Sequence, residues 1–259
     1  MTETLANLQP VILIGMMIIM YGIENIFPYL RKAPNQKKHD LRNLGICLIN
    51  FFVNGLVGTG VVLVAEWTTK NNFGLLNYVQ LPFWSEIIIG ILLIDFGSYG
   101  MHNLTHRIPL LWRFHRVHHS DLYLNSTSSI RFHPLETVLT QGIYLGTAIL
   151  VFGISMPCFV LYGSIAIPLL IMQHSNTKWP DWLEKYGRYI FATPGWHKIH
   201  HSDDRIQTDS HFGDVFTFWD RLFGTSKPTR PEDISYGLKE FADDEKQTIG
   251  YQMLLPFKD

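Results

Sequence analysis

Residues 135–176 read LETVLTQGIYLGTAILVFGISMPCFVLYGSIAIPLLIMQHSN, two apolar runs at 135–152 and 156–172 divided only by Gly153-Ile154-Ser155. A helix needs about 20 apolar residues to cross the hydrocarbon core of a bilayer, and each run comes close to that length. So short a link between them predicts a tight helical hairpin that either crosses fully or dips in and returns. The second arm ends on Gln173-His174-Ser175-Asn176, which delivers an imidazole where the apolar zone stops.

Three more apolar runs precede the hairpin, at 8–27 with its dense block at 11–20, at 44–65 and at 83–99. The first does not read as a cleaved leader, because no basic stretch precedes it and Gly22-Ile23-Glu24-Asn25 is a poor cleavage site. Beyond His174 the chain is polar and aromatic, with no further span expected. Mean hydropathy over the 259 residues is only +0.08, but it averages two unlike halves. Helices apolar all round lack the polar stripe of a globular surface, which argues against a soluble protein.

Loop charges orient the spans. Arg31, Lys32, Lys37, Lys38 and Arg42 lie between the first two runs, whereas only Lys70 lies between the second and third. The excess of positive charge on cytoplasmic loops puts the first loop in the cytoplasm, and segment 102–134 and everything after His174 with it. Twenty of the 21 Lys and Arg residues then share one side. Against these stand 22 Asp and Glu, a formal net charge of −1, so no basic field exists to hold nucleic acid. Cys47 and Cys158 fall inside apolar runs, as small core or lipid-facing residues do, and no repeat or linker tract is visible.

Twelve histidines are the unusual feature, and eleven of them follow residue 100. His102 and His106 form HxxxH, one helical turn apart on one face. His115, His118 and His119 form HxxHH, and His197, His200 and His201 repeat it. With His174 these nine surface at one depth. Neutral imidazole ligates iron, zinc, copper and nickel, and a catalytic zinc usually takes three protein ligands, so nine converging rings point to two metal ions. Nitrogen ligands alone do not choose between iron and zinc. His39, in the basic loop, is given no role. The expected fold is all-α: a transmembrane bundle of four to five helices under a cytosolic, histidine-rich helical cap that holds a dinuclear metal site.

In order along the chain, His102-Asn103-Leu104-Thr105-His106, His115-Arg116-Val117-His118-His119-Ser120, Arg131-Phe132-His133-Pro134-Leu135-Glu136, Gln173-His174-Ser175-Asn176, His197-Lys198-Ile199-His200-His201-Ser202 and Phe218-Trp219-Asp220-Arg221-Leu222-Phe223-Gly224-Thr225 resemble the fatty acid hydroxylase and sterol desaturase superfamily of integral membrane di-iron oxygenases. The resemblance covers residues 83–225. It implies two histidine-bound irons that activate O2 against an unactivated C–H bond of a lipid, a fatty acyl chain or a sterol, giving an alcohol or an alkene. It carries metal ligation and catalysis onto His102, His106, His115, His118, His119, His174, His197, His200 and His201. Two positions depart from the pattern: Leu170 stands four before His174, where the ceramide-linked branch has a histidine, and His211 precedes Phe212-Gly213 where Asn is expected. On this reading residues 1–82 are N-terminal membrane helices with a basic loop, 83–229 the catalytic region and 230–259 a polar surface tail.

Several residues are candidates for support. Asp95 lies seven before His102, two turns along the same face, as an acceptor for a ligand histidine N–H or as a polar contact between helices. Tyr99 would extend that chain of hydrogen bonds. Glu24 reads as an anchor at the membrane interface, Arg131 with Glu136 as an ion pair, and His133 as ligand or scaffold. His211 reads as a tenth ligand or a donor beside the ligands, and Asp203, Asp204 and Asp209 as a solvated loop that can orient His200 or His201. Arg107, Arg113 and Arg116 suit anionic headgroups or an electron donor. That donor is expected to be a separate protein, since the chain shows no Gly-rich nucleotide fingerprint and leaves no room for a fused haem domain. Two rival readings share the histidines: a dinuclear zinc membrane hydrolase, whose bound hydroxide attacks an ester, and a metal-binding or transport protein, which the one-sided histidines disfavour.

Overall fold

A computed structural model describes residues 2–227 and 234–258. Helices α1 (Thr2–Ile26), α2 (Gln36–Lys70), α3 (Phe83–Arg107), α4 (Pro109–His119), α5 (Pro134–Phe152), α6 (Met156–His174), α7 (Asp181–Gly187) and α8 (Pro194–His200) carry the architecture. Among the described residues there are no strands beyond two isolated bridges, Phe191 with Phe216 and Ser202 with Tyr236. Helices α1, α2, α3, α5 and α6 are long and apolar enough to cross a membrane. Their outer faces are apolar and open, as at Ile18, Phe52, Leu56 and Ile88, which water would penalise and lipid does not.

Helix α1 packs along α6, α2 along α5, and α3 against α4 and α6. The apolar core between them holds Val61, Ala65, Ile87, Ile94, Ile149, Ile154, Cys158 and Tyr162. At 35 residues α2 runs about 52 Å, longer than the roughly 30 Å hydrocarbon core, so one end projects beyond it. That end buries polar side chains, with Asp40, Asn43 and Asn50 facing inward around Ile46.

The hairpin turns as expected between α5 and α6, because Gly153 ends α5 in the left-handed conformation at φ 72°. A Cβ there would meet the Asn77 side chain and the Phe73 carbonyl. Within α5, Val138–Leu145 is wound as a π-helix, with a wider turn than its flanks.

Segment 234–258 is more than a polar tail. Phe241, Gln247, Gln252, Leu255 and Pro256 are buried, and the carbonyls of Leu255, Pro256 and Lys258 accept from Arg116 and Arg113 on α4. These two arginines therefore hold the C-terminal segment instead of facing headgroups. Arg230 and Pro231, part of the expected tail, lie outside the described residues.

Replacing Gly153 with Ala forces an L-residue into the left-handed region, at a cost of about 1–2 kcal/mol before any clash is counted. Gly146→Ala, with open space around its Cβ position, is expected to be neutral or stabilising. Thermal unfolding of the two variants in detergent separates the effects.

Candidate metal centre

Each histidine motif is brought in by a separate piece of helix. His102 and His106 end α3; the chain turns at Ile108, Pro109 starts α4 at its first turn, and α4 runs into His115, His118 and His119. His174 is the last residue of α6. Thr193 caps α8, accepting from the Trp196 N–H, and Pro194 at the first helical position fixes the entry into His197, His200 and His201. The nine rings fall into two groups: His102, His106, His115, His119 and His200 in one, His118, His174, His197 and His201 in the other. Within each group one ring nitrogen per residue lies within 4.8 Å of all the others. The groups adjoin, with the His119 ring stacked on His201 at 4.5 Å.

Hydrogen bonds fix which nitrogen carries the proton. The Nδ1–H of His102 donates to the Phe212 carbonyl at 3.0 Å, that of His118 to Arg131 at 3.2 Å, that of His174 to Leu170 at 2.7 Å and that of His200 to Ser210 at 2.7 Å. A carbonyl oxygen can only accept, so in each of these rings the proton is on Nδ1 and Nε2 is a bare lone pair. Carboxylates do the same work for His115, whose Nδ1 lies 2.5 Å from Glu136 Oε1, and for His106, 3.2 Å from Asp209 Oδ1. Yet His174 Nε2 and His118 Nε2 face each other at 3.0 Å, and His115 Nε2 faces His119 Nε2 at 3.2 Å. His197, His201 and His174 close a triangle of Nε2 atoms 3.1–3.2 Å on a side.

In the His118–His174 pair both nitrogens are bare, and opposed lone pairs at 3.0 Å repel unless a cation stands between them. Two nitrogens at right angles about an ion, each about 2.1 Å from it, are about 3.0 Å apart, which is the spacing found. The buried His106 Nε2 and His200 Nε2, which have no hydrogen-bond partner, fit the same requirement in the other group. Burial first, and then neighbouring imidazoles, hold His118, His119, His197, His200 and His201 well below the usual histidine range, so these rings are neutral and ready to ligate.

Around the rings the structure decides between the alternatives for Asp95 and His133, a contact between helices and a scaffold, and departs from expectation at Tyr99, Arg131 and Glu136. Asp95 touches no histidine: its carboxylate accepts from Tyr162 Oη, the Val215 and Phe216 N–H groups and Trp219 Nε1, and so fastens α3 to α6 and to the loop before Phe218. Tyr99 pairs with Thr225 instead of extending that chain. His133 accepts the Leu135 N–H at the start of α5 and donates to the Met253 carbonyl, so both its nitrogens are spent on backbone. His211 is likewise occupied, by the Trp196 carbonyl and the Lys227 N–H, and burial pulls its pKa down to about 4. It lies outside both groups. Glu136 pairs with His115 and not with Arg131. Arg131, fully buried, instead ties Val117, Asn43, Ser120 and Gln247 together. Glu24 is buried too, accepting from the Ser126 and Asn176 N–H groups, and His39 bridges Asp40 and Asp121. Asp209 orients His106, not His200 or His201.

A cavity of about 340 Å³ opens from the histidines into the membrane-spanning helices, walled by Ile94 on α3, Ala148 on α5 and Phe159 on α6. Phe159 precedes His174 by 15 residues on α6, about 22 Å along the axis.

A bundle of membrane-length helices carrying two adjoining histidine pockets at the head of an apolar cavity defines a class of membrane protein whose histidines could hold metal. The family model described as fatty acid hydroxylase matches residues 87–225, just over half of the chain, and the chain belongs to that family. It is 32% identical over 161 residues to the ornithine lipid hydroxylase of Rhizobium tropici, covering 61% of this chain and 47% of that protein. It is 28% identical over 188 residues to the alkylglycerol monooxygenase of Xenopus tropicalis, 69% of this chain and 38% of that one. With the cholesterol 25-hydroxylase of Mus musculus it shares 30% identity over 150 residues, 54% of this chain and 46% of that one. The chain thus spans about half or less of the length of these relatives. No solved structure matches it.

His118→Ala and His200→Ala, one from each group, are expected to lower bound metal per chain at least tenfold at limiting metal, read by mass spectrometry of the eluted ions. His133→Ala should retain its metal and lose about 1–2 kcal/mol of stability through its two unpaired backbone groups.

Proposed function

We propose that this chain is a membrane-bound, O2-dependent di-iron oxygenase that hydroxylates an unactivated C–H bond of a lipid. The nine histidines of the two groups are its iron ligands. The observation that carries this reading is the junction of bare, converging imidazole nitrogens with an apolar cavity that continues down between α3, α5 and α6. The relatives named above are hydroxylases and a monooxygenase, which favours this reading over a zinc hydrolase or a metal carrier.

A di-iron centre, when bound, supplies the activation of O2 and accepts electrons from outside. The chain's own residues do the rest. Glu136, Asp209 and the backbone carbonyls keep the proton of six of the rings on Nδ1 and so keep their Nε2 atoms turned inward. Phe132 stacks on His118 at 4.4 Å, Trp112 lies over His106 at 4.9 Å and Phe212 over the same ring at 5.1 Å. These rings keep water from the site, which protects a strongly oxidising reaction from side chemistry. The lipid enters sideways from the bilayer, its chain lying along α5 and α6. The bias of loop charge supports a centre on the cytoplasmic face, open there to a separate electron-donor protein.

Expression in a lipid-rich host is expected to produce lipid species heavier by one oxygen atom, absent in His118→Ala cells and in cells grown without O2. The purified chain should carry about two irons. An active preparation free of metal overturns the proposal.

A further inference from the structure

We infer that the lipid oxidised here carries a hydrogen-bond donor, a hydroxyl or an amine, close to the carbon that reacts, and that Glu136 receives it. The inference rests on the oxygenase reading and narrows its substrate.

Glu136 lines the cavity beside His115, His118 and His174, and the residue is only 5% exposed. One oxygen, Oε1, is taken by His115 Nδ1–H. The other, Oε2, is buried with no partner among the described residues. It belongs to neither group of converging ligand atoms. A buried acceptor left unpaired costs about 1–3 kcal/mol, more when charged, and a donor brought by a ligand recovers it.

The remaining polar groups of the cavity say which kind of ligand that is. Four of its five hydroxyls spend their hydrogens on the protein, Thr140 on the Glu136 carbonyl, Thr105 on that of His102, Tyr144 on that of Gly97 and Tyr162 on Asp95, and the fifth is Ser98. A second carboxylate, Asp214, lines the same space, and no Lys or Arg does. Two carboxylates thus line the cavity with no cationic side chain to answer them, and Glu136 Oε2 is an acceptor with no donor. Beside Glu136 Oε2 a donor-bearing headgroup fits, and an ether or ester oxygen, which can only accept, does not. Because Glu136 also holds His115, the donor is fixed within reach of the metal ligands, and the carbon next to it is the one presented.

The test is equilibrium binding of tritiated hexadecanol and of tritiated hexadecyl methyl ether to the metal-loaded full chain in nanodiscs, under argon and without electron donor. Wild type is expected to prefer the alcohol about tenfold or more, the worth of one hydrogen bond to a charged acceptor. In Glu136→Gln the amide keeps its oxygen on His115 and turns an NH2 to the cavity, so the preference falls to about one or inverts while metal content stays constant. Hexadecylamine as a third ligand tells a hydroxyl site from an ammonium site. Equal binding of alcohol and ether by wild type overturns the inference without recourse to any variant, as does a preference that survives in Glu136→Gln. Loss of metal in that variant assigns Glu136 to His115 alone and overturns it too. A chain that prefers the alcohol yet oxidises nothing sinks the oxygenase reading and leaves only the donor site at Glu136 standing.

Discussion

Lone pairs of the same sign of charge cannot be crowded into a dry space unless something positive sits among them. That constraint governs this molecule. Backbone carbonyls and two carboxylates lock protons onto the far nitrogen of six rings, leaving their near nitrogens bare and mutually repulsive. Without cations the arrangement is costly, and the folded chain is therefore built to be completed by metal. The low basicity of the buried rings belongs to the same design, since a protonated imidazole would compete with the metal for the lone pair.

Holding such a cluster still requires a stiff surround, and here it is polar. Asp121 accepts from His39, Asn43 and Ser128; burial alone would raise its pKa, but the charges of His39 and Arg131 hold it well below the carboxylate range. Arg131 and Glu24 extend the network from α2 through α4 to the C-terminal segment and to the end of α6. The histidine-bearing helices are thus clamped by buried hydrogen bonds at the level where the apolar bundle ends, while below that level the helices need only match the lipid.

The bundle and the nine ring positions were legible in the sequence because both are carried by local patterns, hydropathy over a span and i, i+3, i+4 spacing. The partners of those rings were not. His174 is oriented by the Leu170 carbonyl, so the departure of that side chain from the family pattern leaves the orientation intact; any residue offers the same oxygen. Asp95 has the right helical phase to reach His102 but is captured by backbone N–H groups more than a hundred residues away, which no spacing encodes. His133 and His211 look like ligands in one dimension and are satisfied by main chain in three. Arg131 and Glu136 are near neighbours in sequence, yet each is claimed by an element that arrives later in the chain or lies earlier in it.

The widened turn of Val138–Leu145 links Glu136, beside the histidines, to Tyr144 and Ala148 deeper in the same cavity wall. A π-helix accommodates extra residues per turn, so it acts as an angular offset between the two ends of α5. Removing a single residue there would return the helix to regular winding and swing everything below it by about 100° relative to the metal ligands. Chain length in this one stretch, independent of side-chain identity, is thus a register that sets which side chains line the cavity below the histidines while leaving the histidines untouched.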